Sequence, residues 1–310
     1  MTTIERQDPE AKQRARRRRA RKRREALLGY ALVAPALLIF GVFVFYPFAK
    51  NIWLGLYRTP PFPGLPKRYA AYDQYVRVLG SHEFRGSLGT TFVFVLLTVP
   101  IGLFLGLVMA VLAHQKLRGI TVYRTIFSST VATSIAVASV IFFTLLNPQV
   151  GLLTYWMGRQ GQLSVLEDPQ WALVAVSAVT IWQNLGLSFI LMSAGLQGVP
   201  DDLLEAADMD GAGTWSRFRN VLVPLLSPTI FFATIVGSIL AFQAFGQIDL
   251  LTQGGPLKKT NVIVYAMYDA AFRQNNEGKA AVLSVALFVI TLILTLIQLK
   301  LLERRVTYER

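Results

Sequence analysis

The chain has 310 residues, 53% of them hydrophobic, and carries 31 Lys and Arg against 18 Asp and Glu, a formal net charge of +13. It contains no cysteine, which excludes disulfides, thiolate metal sites and cysteine nucleophiles. The two histidines, His82 and His114, fall on opposite sides of a membrane in the topology derived below, which removes a paired-histidine metal site and a His-based triad, and no Gly-x-x-x-x-Gly-Lys-Ser/Thr loop is present to cradle ATP phosphates.

Residues 1–26 hold eleven of the basic residues, including Arg16 to Arg19 and Arg21 to Arg24 with Lys22 between. A segment this polar buries nothing, so residues 1–13 are expected to be disordered. An Arg cluster also offers sequence-independent phosphate affinity, but no aromatic residue interleaves it and no binding module accompanies it, so nucleic acid is not an expected partner. It lies directly before an apolar run, where an anionic inner leaflet attracts each Lys or Arg by about 1 kcal/mol, and reads as a topology anchor. The apolar run is long enough to span, which argues against a cleavable signal peptide, and its Pro35 is tolerated in a membrane helix.

A spanning helix needs about 20 predominantly apolar residues. Six stretches qualify: 27–49, 86–113, 125–146, 169–200, 220–248 and 280–299. Asn147-Pro148-Gln149 ends the third and leaves residues 150–158 as an apolar surface segment. Gly102 and Gly106, four apart in the second, match a close-packing pattern for membrane helices. The fold class is therefore an all-α integral membrane protein of six transmembrane helices. The excess of basic residues places the first end in the cytoplasm. With six spans the other end is cytoplasmic too, and the inside segments then carry 20 of the 31 Lys and Arg. The expected organisation is a basic cytoplasmic tail (1–26), a transmembrane domain (27–303) and a short cytoplasmic tail (304–310).

Between the fourth and fifth stretches lies a polar segment with its own local signals. Pro200 suits a first helical position, and Asp201 and Asp202 in the first turn are favoured by the helix dipole. Leu203, Leu204 and Ala207 give that helix an apolar side, and Ala206 and Ala207 leave room for another protein. Asp210-Gly211 reads as its stop, because glycine takes a left-handed backbone at little cost, and a side chain at 211 is expected to meet a tight contact. Thr214 is placed as the N-cap of a second short helix carrying Trp215 and Phe218, with Pro224 and Pro228 marking the entry to the fifth span.

Glu205, Ala206 and Ala207, then Asp210, Gly211 and Ala212, then Phe218, Val221 and Pro224 resemble the cytoplasmic loop of permease subunits in binding-protein-dependent ABC importers. Ile181-Trp182-Gln183-Asn184-Leu185-Gly186, Ala194-Gly195-Leu196-Gln197 and Leu251-Thr252-Gln253-Gly254-Gly255-Pro256 are similar to segments of the carbohydrate-uptake branch. Leu302-Glu303-Arg304-Arg305-Val306-Thr307-Tyr308 is similar to the tail of the first permease of sn-glycerol-3-phosphate importers. The resemblance runs from about residue 26 onward. It implies a prokaryotic cytoplasmic-membrane protein without its own catalysis, in which Glu205, Ala206, Ala207, Asp210, Gly211, Ala212, Phe218 and Pro224 form a coupling helix and turn between helices 4 and 5. It also implies a second homologous permease, an ATPase dimer that binds ATP and Mg, and an extracytoplasmic solute-binding protein.

A translocation path needs polar groups facing the bundle interior. The candidates are Gln183 and Asn184 in the fourth span and Gln243, Gln247 and Asp249 in the fifth, with Gln243 and Gln247 expected on one helix face. Interhelical hydrogen bonding is the competing account of these residues. Amides suit sugar hydroxyls and phosphate oxygens alike. A phosphorylated solute would favour a nearby cation, for which Arg124, Lys258 and Lys259 are the candidates. Relatives often carry Asp where this chain has Gly246. A glycerol phosphate or glycerophosphodiester is the expected solute, with a sugar or oligosaccharide the alternative. A proton-coupled secondary transporter would need ionisable residues within spans, and only Asp249 lies near one.

Overall fold

The computed structural model describes residues 9–60, 65–114, 119–158 and 163–302, and these are mostly helical. They divide into two compact units, one ending at Trp53 and one beginning at Leu54.

In the first unit α1 (Pro9–Phe40), a π-helical stretch (Gly41–Phe45) and α2 (Tyr46–Leu54) follow without interruption. Residues 9–13 are thus helical where disorder was expected, and residues 1–8 lie outside the described residues. The reason is propensity: Pro9 fits a first turn, and Glu10, Ala11, Lys12 and Gln13 are strong helix formers that extend the apolar helix backward. Its apolar side chains are exposed, Leu32 to 81%, as a helix facing lipid or another protein must be.

The second unit opens on a short antiparallel ribbon, β1 (Tyr57–Arg58) and β2 (Arg68–Tyr69), with Tyr57 opposite Tyr69. There follow α3 (Tyr72–Leu79), α4 (His82–His114), α5 (Ile120–Ser128), α6 (Ile135–Leu145), α7 (Leu152–Trp156), α8 (Ala172–Gln197) and α9 (Asp201–Met209). Next come α10 (Thr214–Arg217), α11 (Val223–Leu225), α12 (Ser227–Phe242), α13 (Gly246–Leu251), α14 (Ile263–Tyr268) and α15 (Glu277–Leu302). A π-helical stretch, Phe218–Leu222, joins α10 to α11.

Among the described residues four helical paths, Arg21–Leu54, His82–His114, Ala172–Gln197 and Glu277–Leu301, are long and apolar enough to cross a membrane. Two more pass only as bent pairs: Ile120–Ala132 with Ile135–Leu145 at 103°, and Thr214–Leu225 with Ser227–Phe242 at 67°. The stretches expected as the third and fifth spans are therefore bent, the second of them at the prolines read as its entry. In the first pair Thr133 is extended and Ser134 restarts the chain, its hydroxyl accepting the Val137 N–H at 3.2 Å. In the second, Pro228 has no N–H to donate, and its ring excludes the carbonyl four residues earlier.

The fifth stretch breaks again after Phe242, and α13 begins only at Gly246. Gln243 and Gln247 consequently lie on different elements, not on one helix face. At Gly246 the backbone comes so close to α6 that an added Cβ would lie 2.7 Å from the Ile135 Cγ2, so a side chain there would require Ile135 to shift.

Helices α4 and α8 form the central pair, with α12 against both. Lipid supplies no hydrophobic drive between helices, so close fit and polar contacts hold them. Gly106 is such a fit, since a Cβ there would lie 2.6 Å from that of Ser188, whereas Gly102 faces open space. Three clusters make the core. Phe94, Val176, Val179 and Ile248 centre one, Phe189, Met192, Leu196 and Leu226 a second, and Ala270, Val282 and Leu283 a third that also takes in Val78 of α3.

Candidate functional site

Helices α4, α8 and α12 line an open cavity of about 550 Å³, bordered also by the α6 start at Ile135 and by the residues from Gln243 to Gln247. Four of the five path candidates, Gln183, Asn184, Gln243 and Gln247, line it; Asp249 does not, and is half-buried on α13. Gln247 is 4% exposed and donates from Nε2 to the Gln183 Oε1 at 2.6 Å. Its own Oε1 is buried and has no hydrogen-bond partner among the described residues. Asn184 turns one amide N–H back to the Thr180 carbonyl at 2.9 Å, and Gln243 is exposed to the cavity.

The break after Phe242 creates this arrangement. An uninterrupted helix would have stacked Gln243 and Gln247 along one face, whereas the turn lets Gln247 reach across to α8. Thr98, Thr180 and Ser188 also line the cavity and escaped the sequence reading. Thr98 and Thr180 bond their own helix carbonyls at Phe94 and Val176, both at 2.8 Å, so their sequence carries the signature of ordinary membrane-helix threonines. Among the cavity's lining residues there is no Asp, Glu, Lys or Arg.

The three cations singled out for a phosphate lie elsewhere. Arg124 donates from Nε and Nη2 to the Ala113 carbonyl at 3.2 and 2.7 Å. Lys258 and Lys279 meet Glu83 at 2.9 and 2.7 Å, tying α4 and α15 to the loop after α13. The Lys258 ammonium sits above the ordinary lysine range because of its hydrogen bond to Glu83, with the Glu83 and Asp269 charges adding to it. Lys259 is exposed on the same loop.

The polar segment between α8 and α12 is built as a helix, a turn and a second helix. Pro200 is the N-cap residue of α9 rather than its first helical residue. At the other end Gly211 has φ +76°, the Ala212 N–H reaches the Ala207 carbonyl at 3.0 Å and the Gly211 N–H the Asp208 carbonyl at 3.1 Å. Those paired bonds are the Schellman stop that an Asp-Gly ending favours. A Cβ at Gly211 would meet nothing within 4 Å, so the tight contact expected there is absent within this chain and only the backbone requires glycine.

The second helix begins one residue earlier than expected: Gly213 is its N-cap residue and Thr214 its first residue. Arg217 clasps Asp208 across the turn at 2.7 Å, and Trp215 stacks on Phe218 with ring centroids 5.5 Å apart. Leu204 and Phe218 pack into the second core cluster. Glu205, Ala206, Asp210 and Gly211 remain exposed, with Ala207, Ala212 and Pro224 half-buried. Met209 and Trp215 are exposed to 88% and 69%, so the turn presents an apolar surface beside acidic groups.

Residues 102–308 match the family described as binding-protein-dependent transport system inner membrane component. The chain belongs to this family. It is similar to the sn-glycerol-3-phosphate transport system permease protein UgpA of Agrobacterium fabrum, at 36% identity over 91% of this chain and 97% of that protein. The same permease of Rhizobium meliloti is 34% identical over the same shares. Among solved structures, a chain of a bacterial alginate ABC transporter in complex with an alginate pentasaccharide-bound periplasmic protein has the same fold. Its TM-score is 0.80 and its identity 19%, covering 94% of this chain and 99% of that one. The chain is thus a multi-pass inner-membrane permease subunit of a binding-protein-dependent importer, in which a partner subunit hydrolyses ATP. A proton-coupled carrier is set aside by this family membership.

Proposed function

We propose that this permease subunit imports sn-glycerol 3-phosphate or glycerophosphodiesters. The observation that carries the reading is the similarity to glycerol-phosphate permeases over nine-tenths of the chain. In this reading the chain crosses the membrane six times, each bent pair counting as one span, with both ends cytoplasmic. A second homologous permease completes the membrane domain, a pair of ATPase subunits binds ATP and Mg, and an extracytoplasmic binding protein delivers the solute. The segment from α9 through the turn at Gly211 to Phe218 and Pro224 sits on the ATPase and transmits its closure.

The solute passes through the cavity between α4, α8 and α12. The buried Gln247 Oε1 is an acceptor without a donor among the described residues, and a glycerol hydroxyl supplies one. Gln183, Asn184 and Gln243 line the cavity, and their amide N–H groups serve as donors to phosphate or hydroxyl oxygens as the solute moves. No cation lines this half of the path, so the phosphate charge is met by amides here and by the second permease opposite.

The same uncharged lining favours a second reading, a neutral sugar or oligosaccharide. Isothermal titration of the importer's solute-binding protein, against sn-glycerol 3-phosphate, glycerophosphocholine and maltose, decides between them. Binding of the first two and not the third is the expected outcome, and binding of maltose alone overturns the phosphate reading.

A further inference from the structure

A second cavity, of about 240 Å³, lies where α4 and α8 end, against the second half of α5. Its polar wall is Arg124, His114, Ser128, Ser193 and Gln197. No carboxylate lines it, and Arg124 is its one formal charge. The guanidinium does not sweep freely through solvent: Nε and Nη2 are both held by the Ala113 carbonyl, which fixes the fork at the rim. The Ser193 Oγ is buried and has no hydrogen-bond partner among the described residues. His114 adds an imidazole and Gln197 an amide. The other wall is apolar, from Phe189, Ile190 and Ala194 of α8.

A fixed cation, hydroxyl and amide donors, and the absence of any acid are the recognition chemistry of a phosphate group. Basic pockets between membrane helices at the interface depth hold lipid head groups by this chemistry. We propose that this cavity is a phosphate-group site, distinct from the transport path, and that the phosphate belongs to an anionic phospholipid. The apolar α8 wall argues for the lipid source, since a free phosphate gains nothing from Phe189 and Ile190, whereas glycerol and acyl carbons bury against them. The site joins α4, α5 and α8 directly before the chain enters α9, so its occupancy braces the base of the helix that leads into that segment.

Arg124 has a plain structural use as well, capping the carbonyl end of α4, and the test must separate the two. The purified complete importer, stripped in a non-ionic detergent, is examined by native mass spectrometry and thermal unfolding with added phosphatidylglycerol, phosphatidylcholine or inorganic phosphate. Three variants are compared with the parent: Arg124→Gln, which keeps an amide N–H for Ala113 but loses the charge; Ala194→Leu, which fills the cavity and leaves Arg124 in place; and Lys300→Gln, which removes a cation from α15. The expected result is retention of phosphatidylglycerol and an upward shift of the unfolding temperature in the parent and Lys300→Gln. In Arg124→Gln and Ala194→Leu both fall to the phosphatidylcholine level. A shift by inorganic phosphate without one by phosphatidylglycerol overturns the lipid source and leaves a free-anion site. Equal retention and equal shifts across the parent and all three variants overturn the site.

Discussion

Gln183 and Gln247 form one interhelical amide bond, and the two possible meanings of that bond differ in what its removal does. As a structural contact it contributes about 0.6 kcal/mol on average, too little to disturb assembly. As part of a path each amide contributes the ~0.5–1.5 kcal/mol of a neutral hydrogen bond to the passing solute, which is roughly 2- to 10-fold in affinity. Gln183→Ala, Asn184→Ala, Gln243→Ala and Gln247→Ala are each expected to lower initial uptake by about that factor at low solute, with assembly and basal ATP hydrolysis unchanged. Unaltered uptake in all four returns these residues to the structural account. Amides within apolar runs stand out in a sequence, which is why these positions were legible. Their mutual geometry was not, because it depends on the helix break between Phe242 and Gly246. Thr98, Thr180 and Ser188 were not legible either, since membrane threonines and serines so commonly bond their own helix.

At the scale of the element, the turn after α9 is where the sequence was most explicit. An Asp-Gly pair preceding a cap residue specifies a helix stop almost by chemistry alone, and the Schellman bonds at Gly211 follow from it. The error of one residue at Thr214 arose because Gly213 is itself extended, φ −66° and ψ 162°, and serves as the N-cap residue without a side chain. Gly211→Val must hold a β-branched residue at positive φ, at a cost of about 1–2 kcal/mol or more, or else straighten the turn. That variant is expected to lose most of the stimulation of ATP hydrolysis by loaded binding protein, or to lose the ATPase on purification. Glu205→Ala, which removes one exposed charge, is expected to reduce stimulation only a few-fold. Arg217→Ala breaks the part-exposed pair with Asp208, an interaction worth about 0.2–1 kcal/mol, so its effect on stability should be small. Full stimulation and full assembly in Gly211→Val would remove this segment from the coupling.

For the whole molecule, the apolar runs were legible because spanning length is a count of residues, and four of the six stretches are single helical paths. The bend of 103° was not, because a serine such as Ser134 sits unremarked inside an apolar run, and at the 67° bend Pro224 and Pro228 marked the place without giving the angle. Residues 9–13 were misjudged, since a set of residues too polar to bury anything is also a set of strong helix formers. Orientation is tested with single cysteines in this cysteine-free chain at positions 10, 64, 160, 214 and 260. Positions 64, 160 and 260 should react with an impermeant thiol reagent from outside intact cells, and 10 and 214 only after permeabilisation. Labelling of position 214 from outside would break the six-span topology.

The central claim, that this chain is the membrane path of an ATP-driven importer for a glycerol phosphate, is tested most directly in proteoliposomes. These hold the permease pair and the ATPase, with ATP inside and binding protein outside, and uptake of labelled sn-glycerol 3-phosphate is measured. The account predicts uptake that requires both ATP and the binding protein, that competes with glycerophosphodiesters and not with maltose, and that falls in Gln247→Ala. Uptake of an oligosaccharide with none of sn-glycerol 3-phosphate, or uptake independent of ATP, would contradict it.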